Sequence, residues 1–466
     1  MVTLTTSSNG PDGSSDSSPD GSSDGSPDSS LETVRESSQQ AVESQLKTYA
    51  RFGVDLGLER IESVLANVGN PHHRVPIIHV AGSNGKGSVC AYLSAVLTAA
   101  GYRTGRYTSP HLINWTERIC IDDQPISWAD LQANLAAVEA AVSSAGPVPT
   151  QFEIFTAAAW HYFAAQQVDI AVVEVGLGGR LDATNVCDRP LATVIVSISR
   201  DHWQRLGNTL AKIACEKAGI LKPGVAAIAG PLPSDAAAVV TTRAAQLSAP
   251  LHWVTPATAA PDQSIPGTAP AAGPLALRYS GIAYPQMLLG DHQRVNSACA
   301  IATIQVLRQQ GWQISDKSIQ QGMASVRWPG RLQLSQWQGH ALLIDGAHNP
   351  DAAKSLRRYV DSTYPNQAIT WLMGMLTTKD HTEVLQALLR PADRLHLVPV
   401  PGHLSAEPKD LSAIAHQVCP ALAHCQTHLD LAAALPVTIQ TQPAVLCGSL
   451  YLIGHFYEWY AAELAI

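Results

Sequence analysis

Residues 82–88 read Gly82-Ser-Asn-Gly-Lys-Gly-Ser88, and they lie between the apolar run Val75-Pro-Ile-Ile-His-Val-Ala81 and a helical stretch from about Lys86 to Ala100. No other feature restricts the fold as much. A buried strand that feeds a glycine-rich turn and then a helix is the opening unit of an α/β fold. In such a turn the backbone N–H groups and the helix N-terminus hold phosphate oxygens, Lys86 adds positive charge, and the Ser88 hydroxyl can reach a magnesium ion. The strict P-loop pattern would place Gly at Val80 and Ser or Thr at Gly87, so this loop is a variant. A glycine-rich turn without a ligand is the bland alternative.

The chain repeats the strand-helix alternation. Strand-like runs at Asp169–Gly176, Ala192–Ile198 and Val225–Ala229 alternate with helical stretches at Phe152–Ala165, Thr209–Ala218 and Asp235–Leu247, which predicts a parallel sheet with helices on both faces. The Ala- and Pro-rich segment Pro256–Pro274 reads as a surface loop. A second series, with strands at Leu342–Asp345, Ile369–Met373, Arg394–Val398 and Ala444–Cys447, follows the Pro/Gly break at Arg327–Arg331. The expected fold class is therefore α/β, a P-loop-type parallel-sheet domain over residues 31–326 followed by a smaller Rossmann-like domain over 327–466. Residues 1–30, dominated by Ser, Asp, Gly and Pro, are expected to form a disordered tail.

Composition narrows the function classes. A chain of 466 residues with 46% hydrophobic side chains has material for two packed domains. Its net charge of −8 argues against a nucleic-acid partner, which needs a concentrated basic face. The eight cysteines form no Cys-x-x-Cys pair and no Cys/His cluster, so buried thiols in a reducing cytoplasm are expected, without zinc or disulfides. No apolar run has the roughly 20 residues of a membrane span.

The loop, extended to His79-Val-Ala-Gly-Ser-Asn-Gly-Lys-Gly-Ser88, resembles the ATP loop of the folylpolyglutamate synthase and dihydrofolate synthase family, within the muramyl peptide ligase superfamily. The likeness continues through Thr108-Ser-Pro-His-Leu112, Phe152-Glu153, Glu174-Val-Gly-Leu-Gly-Gly-Arg-Leu-Asp-Ala-Thr-Asn185, Asp201-His202, Glu216-Lys217, Trp328-Pro-Gly-Arg331 and Asp345-Gly-Ala-His-Asn-Pro350. It departs at Arg200 and at Trp203-Gln-Arg205, on either side of Asp201-His202.

The resemblance implies an ATP-dependent acid–amino-acid ligase that joins L-glutamate to dihydropteroate and to reduced folates through an acyl phosphate. A monofunctional folylpolyglutamate synthase, a muramyl peptide ligase and an inactive nucleotide-binding regulator are the alternatives. It implies ATP contacts at Gly82, Ser83, Asn84, Gly85, Lys86, Gly87, Ser88, Asn296, Arg331 and Asp345. Two magnesium ions are implied, held by Ser88, Glu174, His202 and a carbamylated Lys217, with Lys86, His202 and Lys217 catalytic. Ser109, Thr150, Gln151, Phe152, Glu153, Leu181, Asp182 and Ala183 would hold the pterin. A cytoplasmic monomer is expected.

Several side chains keep a structural reading too. Glu174 inside a Val/Ile strand needs a cation, either the metal or an arginine such as Arg180. Lys217 could pair with Glu216, Arg331 could form a boundary salt bridge, Phe152 could be core, and His348 could either line the cleft or cap the helix after Pro350.

Overall fold

A computed structural model describes residues 27–50, 55–143, 146–260, 275–441 and 443–464. Most of the expected tail and most of the Pro256–Pro274 segment lie outside the described residues. The helix Pro27–Ala50 takes in the last residues assigned to the tail.

Eight strands form the first sheet: β1 (Ile77–Ala81), β2 (Thr104–Tyr107), β3 (Ile119–Ile121), β4 (Gln124–Pro125), β5 (Ile170–Glu174), β6 (Ala192–Ile195), β7 (Ala227–Ala229) and β8 (Leu251–Trp253). Their order is β4-β3-β2-β5-β1-β6-β7-β8. The pairs from β2 to β8 are parallel, and β3 and β4 add an antiparallel edge that the repeating pattern did not predict. Fully buried β1 sits in the middle. Ile78 and Val80 pack with the helices Lys86–Ala99 and His292–Gln309, whereas Ile77 joins a separate core with the helix Gln151–Ala165. Alternate residues of a strand face opposite sides, so helices cover both faces, as expected.

Part of the expected surface loop is ordered as a strand. β9 (Thr258–Ala259), β10 (Ala276–Tyr279) and β11 (Ile282–Pro285) make a small antiparallel sheet. The second lobe holds β12 (Gln333–Trp337), β13 (His340–Ile344), β14 (Thr370–Met373), β15 (Arg394–Leu397), β16 (His424–Thr427) and β17 (Ala444–Cys447), in the order β12-β13-β17-β14-β15-β16. Only β12 with β13 is antiparallel. This lobe has its own apolar cores, centred on residues such as Trp371, Leu395 and Val445 on one face and Leu372, Leu446 and Phe456 on the other.

All eight cysteines are free; Cys215 is exposed rather than buried and Cys425 partly so. Among the described residues no helix is long and apolar enough to cross a membrane.

Candidate active site

At the carboxyl end of β1 the chain turns through residues 82–85 into the helix Lys86–Ala99. Gly85 caps that helix with φ +82°, and a Cβ there would stand 2.5 Å from Asn296 Oδ1, so only glycine fits. At Gly87 a Cβ would meet the Trp328 ring at 2.6 Å, which explains why the hydroxyl residue of the common loop pattern is missing. The Ser83 and Asn84 amides donate to Ser197, and the Ser83 hydroxyl bonds the Ser199 carbonyl and amide. These contacts anchor the loop to the chain that continues from β6. The first bond within the helix runs from Val89 N–H to the Gly85 carbonyl, so the amides of Lys86, Gly87 and Ser88 are left without partners inside the helix, an arrangement that suits an anion. Asn84 crosses to the second lobe, where its amide meets Asn349 at 2.8 Å and Asp351 at 3.0 Å.

Glu174 ends β5, in register with Val80 of β1. Burial raises its carboxyl above the ordinary range, against the pull of Lys86, whose Nζ is 3.6 Å away, and of the Ser109 amide, which donates at 3.2 Å. Arg180 is not its partner; it binds Glu216 at 2.9 Å. The buried Ser88 hydroxyl is 3.3 Å from Gln293 Nε2. Among the described residues no group of three or more His, Cys, Asp or Glu forms a ready metal cage. The oxygens of Ser88 and Glu174 still fit magnesium, which binds through one or two protein oxygens and takes the rest from phosphates and water.

Lys217 ends the helix Leu210–Lys217 and is buried, with its Nζ donating to the Gly82 carbonyl at 2.9 Å rather than to Glu216. Burial, and then the charge of Lys86, push its pKa down to about 7. His202 has φ +50° and a half-exposed ring 3.9 Å from Asp201. Desolvation in the cleft, and then the charges of Lys379, Lys86 and Lys217, bring its pKa down to about 4 against the pull of Asp201. Burial would raise the Asp201 carboxyl, but Lys379, at 3.4 Å, and the other cations around it hold it well below the usual range.

A cleft of about 400 Å³ runs between the lobes. Of the residues expected at the pterin, Ser109, Thr150, Phe152, Glu153, Leu181, Asp182 and Ala183 line it, and His202 joins them. Gln151 does not: its amide binds the Leu46 carbonyl at 2.9 Å and ties the first helix down. Thr150 and Glu153 form a capping box that starts the helix, and Glu153 also binds Arg60 at 3.0 Å. Asp182 organises its loop by accepting from the Leu177 amide at 2.7 Å and from Thr184. Phe152 is a wall of the cleft, set so closely over Gly176 that a Cβ there would be 2.4 Å from the ring.

The second lobe contributes His348, Lys379 and Tyr451 to the cleft. His348 lines it and does not cap the following helix, because Asn349 accepts from the Ala352 amide at 2.9 Å in that role. Asp345 accepts from the Leu332 and Ala347 amides at 2.8 and 2.9 Å. The Arg331 guanidinium passes over Gly346, where a Cβ would be 2.2 Å from it, and forms no ion pair among the described residues. Asn296 lies buried beneath the phosphate loop, bonded to Gln293 at 3.0 Å. A second cleft of about 270 Å³ opens on this side, lined by His292, Arg294, Arg358 and Tyr359.

Sequence reasoning passed over Arg118, Lys379 and Gln293. Arg118 lines the main cleft, is largely buried, donates to His111 at 2.9 Å and lies 4.3 Å from the Trp115 ring, yet takes part in no ion pair among the described residues. The available signal was a cation flanked by Ile119-Cys-Ile121.

Fold and site together define a two-lobed α/β protein in which a cleft lined by both lobes is linked, through Ser109 and Glu174, to Lys86 of the glycine-rich loop. The family described as "Dihydrofolate synthetase, C-terminal domain" matches residues 331–459. The chain is 36% identical over 406 residues to the folylpolyglutamate synthase of Lacticaseibacillus casei, covering 84% of this chain and 92% of that one. It is 34% identical over 381 residues to the dihydrofolate synthase/folylpolyglutamate synthase of Bacillus subtilis (strain 168), covering 80% and 87%. Among solved structures, the Mycobacterium tuberculosis folylpolyglutamate synthase complexed with ADP and AMPPCP superposes with a TM-score of 0.80 at 30% identity, covering 91% of this chain and 99% of that one. The chain belongs to the dihydrofolate synthase/folylpolyglutamate synthase family.

Proposed function

We propose that the protein is an ATP-dependent ligase that adds L-glutamate to dihydropteroate and to reduced folates. One observation carries this reading: Ser109 lines the cleft, and its amide donates to Glu174, which in turn stands against Lys86 of the phosphate loop. The acceptor cleft and the phosphate site therefore meet at one point. ATP would lie with its phosphates on the Lys86–Ser88 amides and its adenosine toward Asn296, Arg331 and the smaller cleft.

In the proposed reaction a carboxylate oxygen of the pterin substrate attacks the γ-phosphorus and ADP departs, leaving an acyl phosphate. Lys86 and the helix amides stabilise the charge that spreads over the transferred group. The glutamate amine then attacks the acyl carbon, loses a proton, and phosphate leaves. Arg118, a largely buried cation with no carboxylate partner among the described residues, supplies a site for a substrate carboxylate. Phe152, Leu181 and Ala183 give the pterin an apolar wall.

Ser88 and Glu174 would hold one magnesium ion, with His202 and Lys217 near a second; the ions would neutralise phosphate charge. With its pKa near 7, Lys217 is partly the free amine, the form that takes up carbon dioxide, and a carbamate there would add oxygen ligands. The same proposal divides the work between residues 31–326, which bind ATP and pterin, and residues 327–466, which close over them. It takes the protein as a cytoplasmic monomer acting on small molecules. The test gives purified protein ATP, magnesium, glutamate and each pterin acceptor, and follows ADP and product mass. Glutamate-dependent ADP formation with a ligated product is expected; absence of product with every acceptor overturns the reading.

A further inference from the structure

Arg200 and Trp203, two of the residues at which the chain departs from the pattern it resembles, flank Asp201-His202 and reach the second lobe beside the cleft. Arg200 Nη1 is 2.7 Å from Glu383 Oε1 and its Nε is 3.8 Å from Asp380 Oδ2. Its guanidinium lies 4.8 Å from the centre of the Trp203 ring, and the Trp203 indole N–H donates to Asp380 at 3.1 Å. Asp380 and Glu383 open the helix His381–Leu388 of the second lobe. Immediately before them, Lys379 returns the opposite charge pattern by pairing with Asp201 at 3.4 Å. Residues 200, 201 and 203 of one lobe thus hold residues 379, 380 and 383 of the other through contacts of crossed sign.

We propose that Arg200 and Trp203 are positioning residues: they clamp the 379–383 segment so that Lys379 and His202 stay opposed across the cleft and water is kept from the acyl phosphate. The inference rests on the ligase reading. Each exposed pair alone contributes little, but here the contacts share partners and span the surface along which the lobes would part, so together they bias the closed state. When the clamp is lost, water instead of the glutamate amine attacks the acyl carbon. That returns the pterin carboxylate and phosphate, and the net reaction becomes hydrolysis of ATP to ADP.

The experiment compares the unmodified protein with Arg200→Gln, Glu383→Gln and the double variant. The ratio of ADP to ligated product, the glutamate KM, nucleotide affinity and the radius of gyration from small-angle scattering are measured. Each single variant should raise the ADP-to-product ratio roughly fivefold, the shift that about 1 kcal/mol gives, and raise the glutamate KM with nucleotide affinity unchanged. The double variant should be no worse than Arg200→Gln alone, because Arg200→Gln already breaks the contact that Glu383→Gln removes. Coupling unchanged in the single variants, or losses that simply add in the double, overturns the clamp. If the unmodified protein makes no ligated product, the ligase reading fails by itself, and scattering with ATP bound decides the clamp: expansion of the single variants supports it, and equal radii overturn it.

Discussion

Lys86 Nζ stands 3.6 Å from Glu174 Oε1, so the cation of the phosphate loop also compensates a carboxylate buried at the end of the neighbouring strand. In the proposed reaction one lysine thus serves both catalysis and stability, and the two roles can be separated. Lys86→Ala should lower turnover by about 10²-fold or more through loss of transition-state charge stabilisation. It should also cost about 1–3 kcal/mol by leaving Glu174 without its cation. Adding Glu174→Gln removes the stranded charge, so the double variant should regain melting temperature without regaining turnover. Turnover of Lys86→Ala within tenfold of the unmodified protein would remove Lys86 from the mechanism.

Arg118 gives a second expectation. Arg118→Gln keeps a polar side chain of similar reach but removes the charge, and loss of a charge-assisted bond of about 1.5–3 kcal/mol should raise the KM of a carboxylate substrate by roughly 10- to 100-fold. Nucleotide affinity should not move, since Arg118 lines the acceptor cleft and not the phosphate loop. Steady-state kinetics beside ADP titration checks this; weakened ADP binding with unchanged substrate KM would contradict the assigned role.

A third prediction concerns acid stability and lies far from the cleft. His396 in β15 is 2% exposed, its Nδ1 is 2.9 Å from His428 Nε2, and the His424 ring is 5.4 Å away. Burial, then His428, His424 and Arg394, bring its pKa down to about 4 from the ordinary 6.5. Between those values the unfolded chain binds a proton that the folded chain refuses, so stability is complete above pH 6.5 and falls as the pH drops toward 4. The span is at most on the order of 3 kcal/mol. His396→Gln should make the acid fall of the melting temperature shallower by this group's share, the buried His72, His79, His111, His292 and His348 keeping theirs, and an unchanged acid slope would assign the loss to those other groups.

The sequence revealed what depends on neighbours in the chain. β1, the loop and the helix from Lys86 were readable because apolar run, glycines and helical period follow one another directly. Strand β2 was not readable, since Thr-Gly-Arg-Tyr has no strand-like pattern and is buried only because β3 and β5 flank it. At the site, the loop, Glu174 and much of the cleft lining were visible as motifs. Lys379 and Gln293 were not, because their roles arise from meeting Asp201 and Ser88 across 178 and 205 residues. Gln151 was read together with Thr150, the residue that caps its helix, because the two are adjacent in one motif, whereas its amide reaches the Leu46 carbonyl, 105 residues away.

The last prediction is that one cleft serves both glutamate additions. Dihydropteroate and a reduced folate monoglutamate present the same reacting group, a carboxylate, to the same acyl phosphate chemistry; they differ in how far the pterin lies from it. One cleft of about 400 Å³ carries both the apolar side chains Phe152, Leu181 and Ala183 and the polar Ser109 and His202, so acceptors of different reach would share its lining. Gln151 does not narrow it, being bonded to Leu46, and Arg200 is engaged with Glu383. Both acceptors should therefore be glutamylated, and each should competitively inhibit the other with an inhibition constant close to its own KM. Ala183→Trp should impair both reactions together by filling the shared wall. Extension of the folate with no reaction of dihydropteroate would leave the ligase reading intact and reject the shared cleft; two activities that do not compete would require a second pterin site.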